Sequence, residues 1–201
     1  MLGLSAFQAS LSVLTTQGCK ILLGCRYSCS RAISADGRKI YREQRLLGYS
    51  CDQMFDIISD VEQYSEFLPW CLDSVVLQTH PTKGRLCRLS IGFYPFKESY
   101  DSWVTVIQPK HVKSVATNSD LFEHLINEWH IGPGLPSNEN TCTVELKVDF
   151  RFRSRIHSRI SSLFFDQVVD SMVGAFLGRA NTLHGPGSIP RQPPTILEYT
   201  K

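Results

Sequence analysis

An α+β fold, with a curved antiparallel sheet wrapped around a long C-terminal helix, is what this 201-residue sequence predicts. Three observations predict it. From Thr141 to Arg153 the chain alternates strictly: Cys142, Val144, Leu146, Val148, Phe150 and Phe152 face one way and polar residues the other. So long a two-residue period means a strand with one buried and one wet face. The segment from Ile156 to Leu177 is helical in period and more apolar than one packing face requires. Between the first strand and that helix, two short helical patterns are followed by about six strand patterns, an order that a sheet gripping a terminal helix accounts for.

Each element has its own signal. Arg38 to Leu47 reads as a leading strand. Ser50-Cys51-Asp52-Gln53 has the capping-box pattern, in which Ser50 accepts from the Gln53 amide and Gln53 reaches back. Met54, Phe55, Ile58 and Val61 follow at helical spacing. A second short turn from Asp60 through Tyr64 stops before Pro69, because the residue before a proline is pushed out of the helical region. Strands are expected through Cys87–Phe93, Tyr100–Ile107, His111–Thr117 and Leu121–Ile131. Gly132-Pro133-Gly134-Leu135-Pro136-Ser137-Asn138 is a loop. The last helix is expected from about Ile156 to about Asn181, and a mobile Pro-rich tail over residues 186–201.

Charge divides the chain. Only three of the 21 lysines and arginines (Lys20, Arg26 and Arg31) precede Asp36, and all 19 acids lie from Asp36 onward. Basic, Ser/Thr-rich and acid-free, residues 1–35 read as a mitochondrial transit peptide in preference to a secretory signal or a plain tail. Residues 36–185 are the domain, near neutral in charge, so nucleic acid is not an expected partner. No apolar run is long enough for a transmembrane helix. The seven cysteines show no Cys-x-x-Cys pair or zinc spacing and read as reduced, mostly buried residues. There is no nucleophile elbow, dinucleotide loop or phosphate loop.

The surplus apolar surface of the last helix must face a ligand, a membrane or another subunit, and the hollow between sheet and helix is a natural small-molecule site. At this point several stretches resemble one family. They are Tyr41-Arg42-Glu43-Gln44-Arg45-Leu46-Leu47, the Val61–Cys71 segment with Phe67-Leu68-Pro69-Trp70, Phe96-Lys97-Glu98-Ser99-Tyr100, Asn127-Glu128-Trp129 and Ser162-Leu163-Phe164-Phe165-Asp166. Together they resemble, over about residues 38–185, the mitochondrial coenzyme Q-binding proteins of the START, polyketide cyclase-like superfamily. The resemblance implies a helix-grip (START-like) fold. It also implies a non-catalytic carrier or chaperone on the matrix side of the inner membrane. That protein would bind ubiquinone for the respiratory chain without a catalytic cofactor, alongside respiratory-chain or quinone-biosynthesis proteins.

The expected ligand-binding residues are Phe67, Leu68, Trp70, Phe93, Trp103, Trp129, Phe164, Val168, Met172 and Phe176. Replacing Met172 or Phe176 with Asp is expected to abolish lipid retention and spare the fold. Arg151, Arg153, Arg155 and Arg159, to which Arg38, Lys39, Arg42 and Arg45 can add, form a basic group suited to anionic lipid heads or simply to solvent and local ion pairs. His124, Glu128 and His130 share one strand face, but no other element supplies a partner, so no metal is expected. Glu98, Asp101 and Glu128 are the acids a cyclase-type or hydratase-type enzyme would use. That enzyme, a ribosome-associated module and a carrier of other lipids are the rival readings.

Overall fold

The computed structural model describes residues 37–93, 96–153 and 155–200. The expected leader lies outside them. Strand β1 (Lys39–Leu47) leads into α1 (Cys51–Ser59), a single 3-10 turn (Val61–Gln63) and α2 (Tyr64–Phe67). Six strands follow: β2 (Cys71–His80), β3 (Gly84–Phe93), β4 (Phe96–Ile107), β5 (His111–Ser119), β6 (Phe122–Pro133) and β7 (Cys142–Phe152). Helix α3 (Arg155–His184) and strand β8 (Thr195–Thr200) complete the chain.

The strands form one antiparallel sheet in the order β2-β3-β4-β5-β6-β7-β1-β8. Strand β1 pairs with β7, so the chain must cross to the far edge before β2, and α1 and α2 carry it there. The capping box at Ser50 is formed in both directions, Ser50 Oγ accepting from the Gln53 amide and Gln53 Oε1 from the Ser50 amide. Helix α1 buries Met54, Phe55, Ile57 and Ile58. At the turn into β3, Gly84 has φ +83°, and a Cβ there would meet the Val104 carbonyl oxygen at 2.2 Å. Only glycine fits that left-handed position under a neighbouring strand.

The inner face of β7 is as expected, with Cys142, Val144, Leu146, Val148, Phe150 and Phe152 buried against the core, but Asp149 on the opposite face is buried as well, paired with Arg38. Lower in α3, Val173, Phe176, Leu177 and Ala180 are buried on the same core. Four free cysteines are described, and Cys71, Cys87 and Cys142 are buried. Burial pushes the Cys71 and Cys142 thiols up to about 11 and about 12, so both stay protonated at neutral pH.

The end of the chain departs from expectation. Residues Thr195–Thr200 form β8, which pairs with β1 from Ile40↔Thr200 to Gln44↔Thr195. The connecting stretch is tied down as well: Ser188 N–H donates to Gly48 O at 2.8 Å, and Tyr49 Oη donates to Gly185 O at 3.0 Å. Gly185, in the left-handed region at φ +79°, ends α3, and the β-prone Thr-Ile-Leu-Glu-Tyr-Thr run beyond the prolines covers the free edge of β1.

Candidate ligand site

Two adjoining hollows lie between the concave face of the sheet and α3. The first, with a cavity volume of about 70 Å3, includes Val61, Leu68, Tyr100, Val104, Trp129 and Phe176 in its lining. The second, about 80 Å3, includes Phe122, Leu125, Val148, Phe150 and Val168. Trp70, Ile91, Tyr100, Asn127 and Met172 line both, so the hollows meet at these side chains.

The turn after α2 is part of the wall. Leu68 and Trp70 line the first hollow, and the Gly92 amide donates to Trp70 O at 2.9 Å, which fixes the turn on β3. Phe67 stands one layer back. Its ring meets Phe176 edge-on at 5.1 Å and lies beneath the Arg179 guanidinium, whose Cζ is 5.7 Å from the ring centroid. Arg179 also pairs with Glu66 at 2.8 Å and donates to Gln63 at 3.1 Å, joining α3 to the α2 region. Phe176 is the hub here. It is 1% exposed and makes further edge contacts with Tyr64 at 5.4 Å and Trp129 at 4.8 Å. Burial holds the Tyr64 and Tyr100 phenols above their ordinary range, so both stay neutral.

Of the expected ligand-binding residues, Leu68, Trp70, Trp129, Val168, Met172 and Phe176 do line the hollows. Trp103 does not. It turns to the opposite face of β4, where it meets His80 at 6.4 Å and lies under the Lys83 ammonium at 5.8 Å. The reason is parity: Tyr100, Ser102 and Val104 face inward, so Trp103 shares the outer face with Asp101. The side chains of Phe93 and Phe164 lie outside the described residues.

Of the three acids, Asp101 and Glu128 face away, and Glu98 shares the inward parity of Tyr100 but is not among the residues that line either hollow. Asp101 accepts two hydrogen bonds from Arg88, at 2.6 and 2.9 Å, and that pairing holds its carboxyl below the usual range. Glu128 accepts from His111 Nε2 at 2.9 Å. Burial would raise its carboxyl, but the His111 hydrogen bond and the nearby Lys113, His130 and His111 charges outweigh it and leave the carboxyl lowered. Among the described residues, no carboxylate, imidazole or ammonium lines either hollow.

The supposed row of His124, Glu128 and His130 separates in space. His124 lies 3.2 Å from Asp149, which is also bridged by Arg38. Glu128 and His130 are joined by His111 from β5, the partner that spacing along one strand did not reveal. The ligand-type atoms of His111, Glu128 and His130 lie within 4.8 Å of one another. Lys113 Nζ is 3.6 Å from the same Glu128 oxygen, so a like charge already occupies the approach a cation would need. Local pairing likewise engages the basic residues expected at a lipid surface. Arg151 pairs with Glu123 at 2.8 Å, Arg153 donates to Ser119 O at 2.8 Å, Arg42 pairs with Glu145 and Arg45 with Glu43. The Arg155 and Arg159 side chains are outside the described residues.

Sequence reasoning missed the polar spot on the floor of the hollow. Asn127 lines both hollows, and Ser114, its register partner on β5, lines the first. Asn127 Oδ1 and Ser102 Oγ are buried without a hydrogen-bond partner among the described residues. The available signal was a polar residue at an inward parity: Asn127 lies between Leu125 and Trp129 on β6, Ser102 between Tyr100 and Val104 on β4.

Residues 47–177 match the family described as polyketide cyclase / dehydrase and lipid transport. The mitochondrial coenzyme Q-binding protein COQ10 homolog B of Xenopus laevis is 41% identical over 150 residues, 75% of this chain and 61% of that protein. The chain thus spans about three-fifths of the length of that relative and of its Drosophila melanogaster counterpart. The mitochondrial coenzyme Q-binding protein of Schizosaccharomyces pombe is 31% identical over 148 residues, 72% of this chain and 88% of that protein. A ribosome association toxin of Vibrio cholerae matches more distantly, at 26% over 140 residues, 70% of this chain and 94% of that protein. Among solved structures, a START superfamily protein of Mycobacterium smegmatis superposes with a TM-score of 0.62 at 16% identity. It covers 72% of this chain and 99% of that one, and the likeness speaks to the fold alone.

Proposed function

The chain belongs to the polyketide cyclase / dehydrase and lipid transport family and, within it, to the mitochondrial coenzyme Q-binding proteins, and we propose that it binds coenzyme Q (ubiquinone) between its sheet and α3 as a carrier or chaperone without catalysis. The observation that carries this reading is the apolar hollow at whose centre Asn127 is the single carboxamide among the described residues. A prenylated quinone needs a long dry channel for its tail and few polar contacts for its ring. Burying each methylene contributes about 0.8 kcal/mol, so tail burial supplies most of the affinity.

Hollows of about 70 and 80 Å3 are far below the roughly 300–1,000 Å3 of ordinary ligand pockets. Binding therefore widens the site. Helix α3 is the wall that moves, because the floor is held by the sheet ladder while α3, among the described residues, rests on side-chain packing and the links from Arg179 to Glu66 and Gln63. The names of the relatives, as coenzyme Q-binding proteins, support a role in which no bond is made or broken. The names of the relatives and the acid-free residues 1–35 support a mitochondrial site of action, and peripheral contact at the matrix face of the inner membrane is part of the proposal.

The test is to purify the full chain gently from cells that make ubiquinone, extract it with organic solvent and identify the lipid by mass spectrometry. Stoichiometric ubiquinone is expected. Folded protein that is empty, or filled with phospholipid alone, would overturn the reading.

A further inference from the structure

We propose that Asn127, with Ser114 opposite it, anchors the ring oxygens of the ligand and holds the oxidised quinone and the reduced quinol with similar strength. This rests on the quinone reading above and goes beyond it, since a carrier could favour either redox state.

The position of Asn127 is the first argument. It lines both hollows at their junction, where a ring can sit in one and the tail run into the other. Ser114 stands directly opposite on β5.

The second argument is that this polar spot lacks partners. Asn127 Oδ1 is buried and makes no hydrogen bond among the described residues. Buried polar atoms are almost always paired, because an unpaired one loses its water and gains nothing in return. A ligand oxygen arriving at the junction supplies the missing partner.

The third argument is the chemistry of the groups. The oxygens of a quinone ring only accept hydrogen bonds, whereas the hydroxyls of a quinol also donate. A carboxamide offers Nδ2 donors and an Oδ1 acceptor, and a hydroxyl can do either. Turning the Asn127 amide end for end matches it to either ring. A lone carboxylate or ammonium in that place would select one redox form, and neither lines the hollows among the described residues.

The experiment titrates the full chain, stripped of lipid, with decylubiquinone and, under nitrogen, with its chemically reduced quinol. Geranylgeraniol serves as a tail without a quinone ring. Wild-type protein should bind the quinone and quinol within about threefold of each other. Asn127→Leu, close in volume, should weaken both roughly tenfold, the loss of about one net hydrogen bond, and leave geranylgeraniol binding unchanged. Ser114→Ala should weaken both less, and provides the comparison if Asn127→Leu does not fold. Equal quinone binding by wild type and folded Asn127→Leu, or a wild-type preference of more than about thirtyfold for one redox form, would overturn the proposal. Folded wild type that binds neither ring form would instead remove the quinone reading on which it rests.

Discussion

Met172 and Phe176 lie one turn apart on α3, yet their replacement should separate ligand retention from stability. Phe176 is 1% exposed and meets three aromatic rings, Tyr64, Phe67 and Trp129, at 4.8 to 5.4 Å. Truncating such a residue removes its transfer free energy and leaves a void between rings that cannot collapse together. Phe176→Ala should therefore cost about 3–5 kcal/mol. For a domain of this size each kcal/mol lowers Tm by roughly 2–4 °C, so a fall on the order of 10 °C is expected. Phe176→Asp would do worse by burying an unpaired charge, so the expectation that it spares the fold is revised. Met172 is half-buried and lines both hollows, where its side chain borders open volume. Met172→Asp can turn its carboxylate toward water when the site is empty, but a bound tail would have to displace that hydration. It should keep Tm within about 5 °C of wild type and lose the co-purifying lipid. Thermal unfolding by circular dichroism, with lipid extraction of the same samples, measures both. A Phe176→Ala protein melting within about 3 °C of wild type, or a Met172→Asp protein with full lipid content, would refute this division between core and wall.

Two further outcomes are expected. Asp101, Asp149 and Glu128 all have carboxyls held below their usual range. For Asp101 the main cause is its Arg88 hydrogen bond; for Asp149 and Glu128, hydrogen bonds and cations outweigh the upward push of burial. The unfolded chain then takes up protons first, near pH 4, so this stability is full above about pH 5 and is lost as pH falls through the lower native values. Tm should decline steeply below about pH 4, and the decline should shrink in Arg88→Gln, which starts without the Asp101 pairing. Deleting residues 195–201 removes β8 and bares the edge of β1. Amide exchange across residues 40–44 should accelerate by at least tenfold while α1 amides keep their protection, and unchanged exchange in β1 would show that β8 does not dock.

Much of the fold was legible because local signals and tertiary environment agree. The alternation of Cys142–Phe152 is a pattern that only a half-buried strand satisfies, and the Ser50–Gln53 box is complete within four residues. On the helix, Val168 and Met172 line the hollows as their apolar surplus suggested, whereas Phe176 lines the first while serving the core packing. The site was read less well on the sheet. There Trp103 and Trp129 are alike in chemistry, and the face each takes depends on parity along its own strand, with register shifts at Asp101/Ser102 and Phe122/His124. Polar Asn127 and Ser102 were passed over for the reason that makes them informative: side chains of their kind seldom face inward without a partner.

The sequence by itself determined that residues 39–184 build a sheet and a gripping helix, because two-residue and 3.6-residue periods are properties of the covalent chain. Only the tertiary structure decided which side chains share the hollow, that His111 joins Glu128 and His130, and that Thr195–Thr200 closes the sheet against β1. These are contacts between segments far apart in the chain. Their formation depends on which edge and face remain free once the other elements have packed, and no local period encodes that.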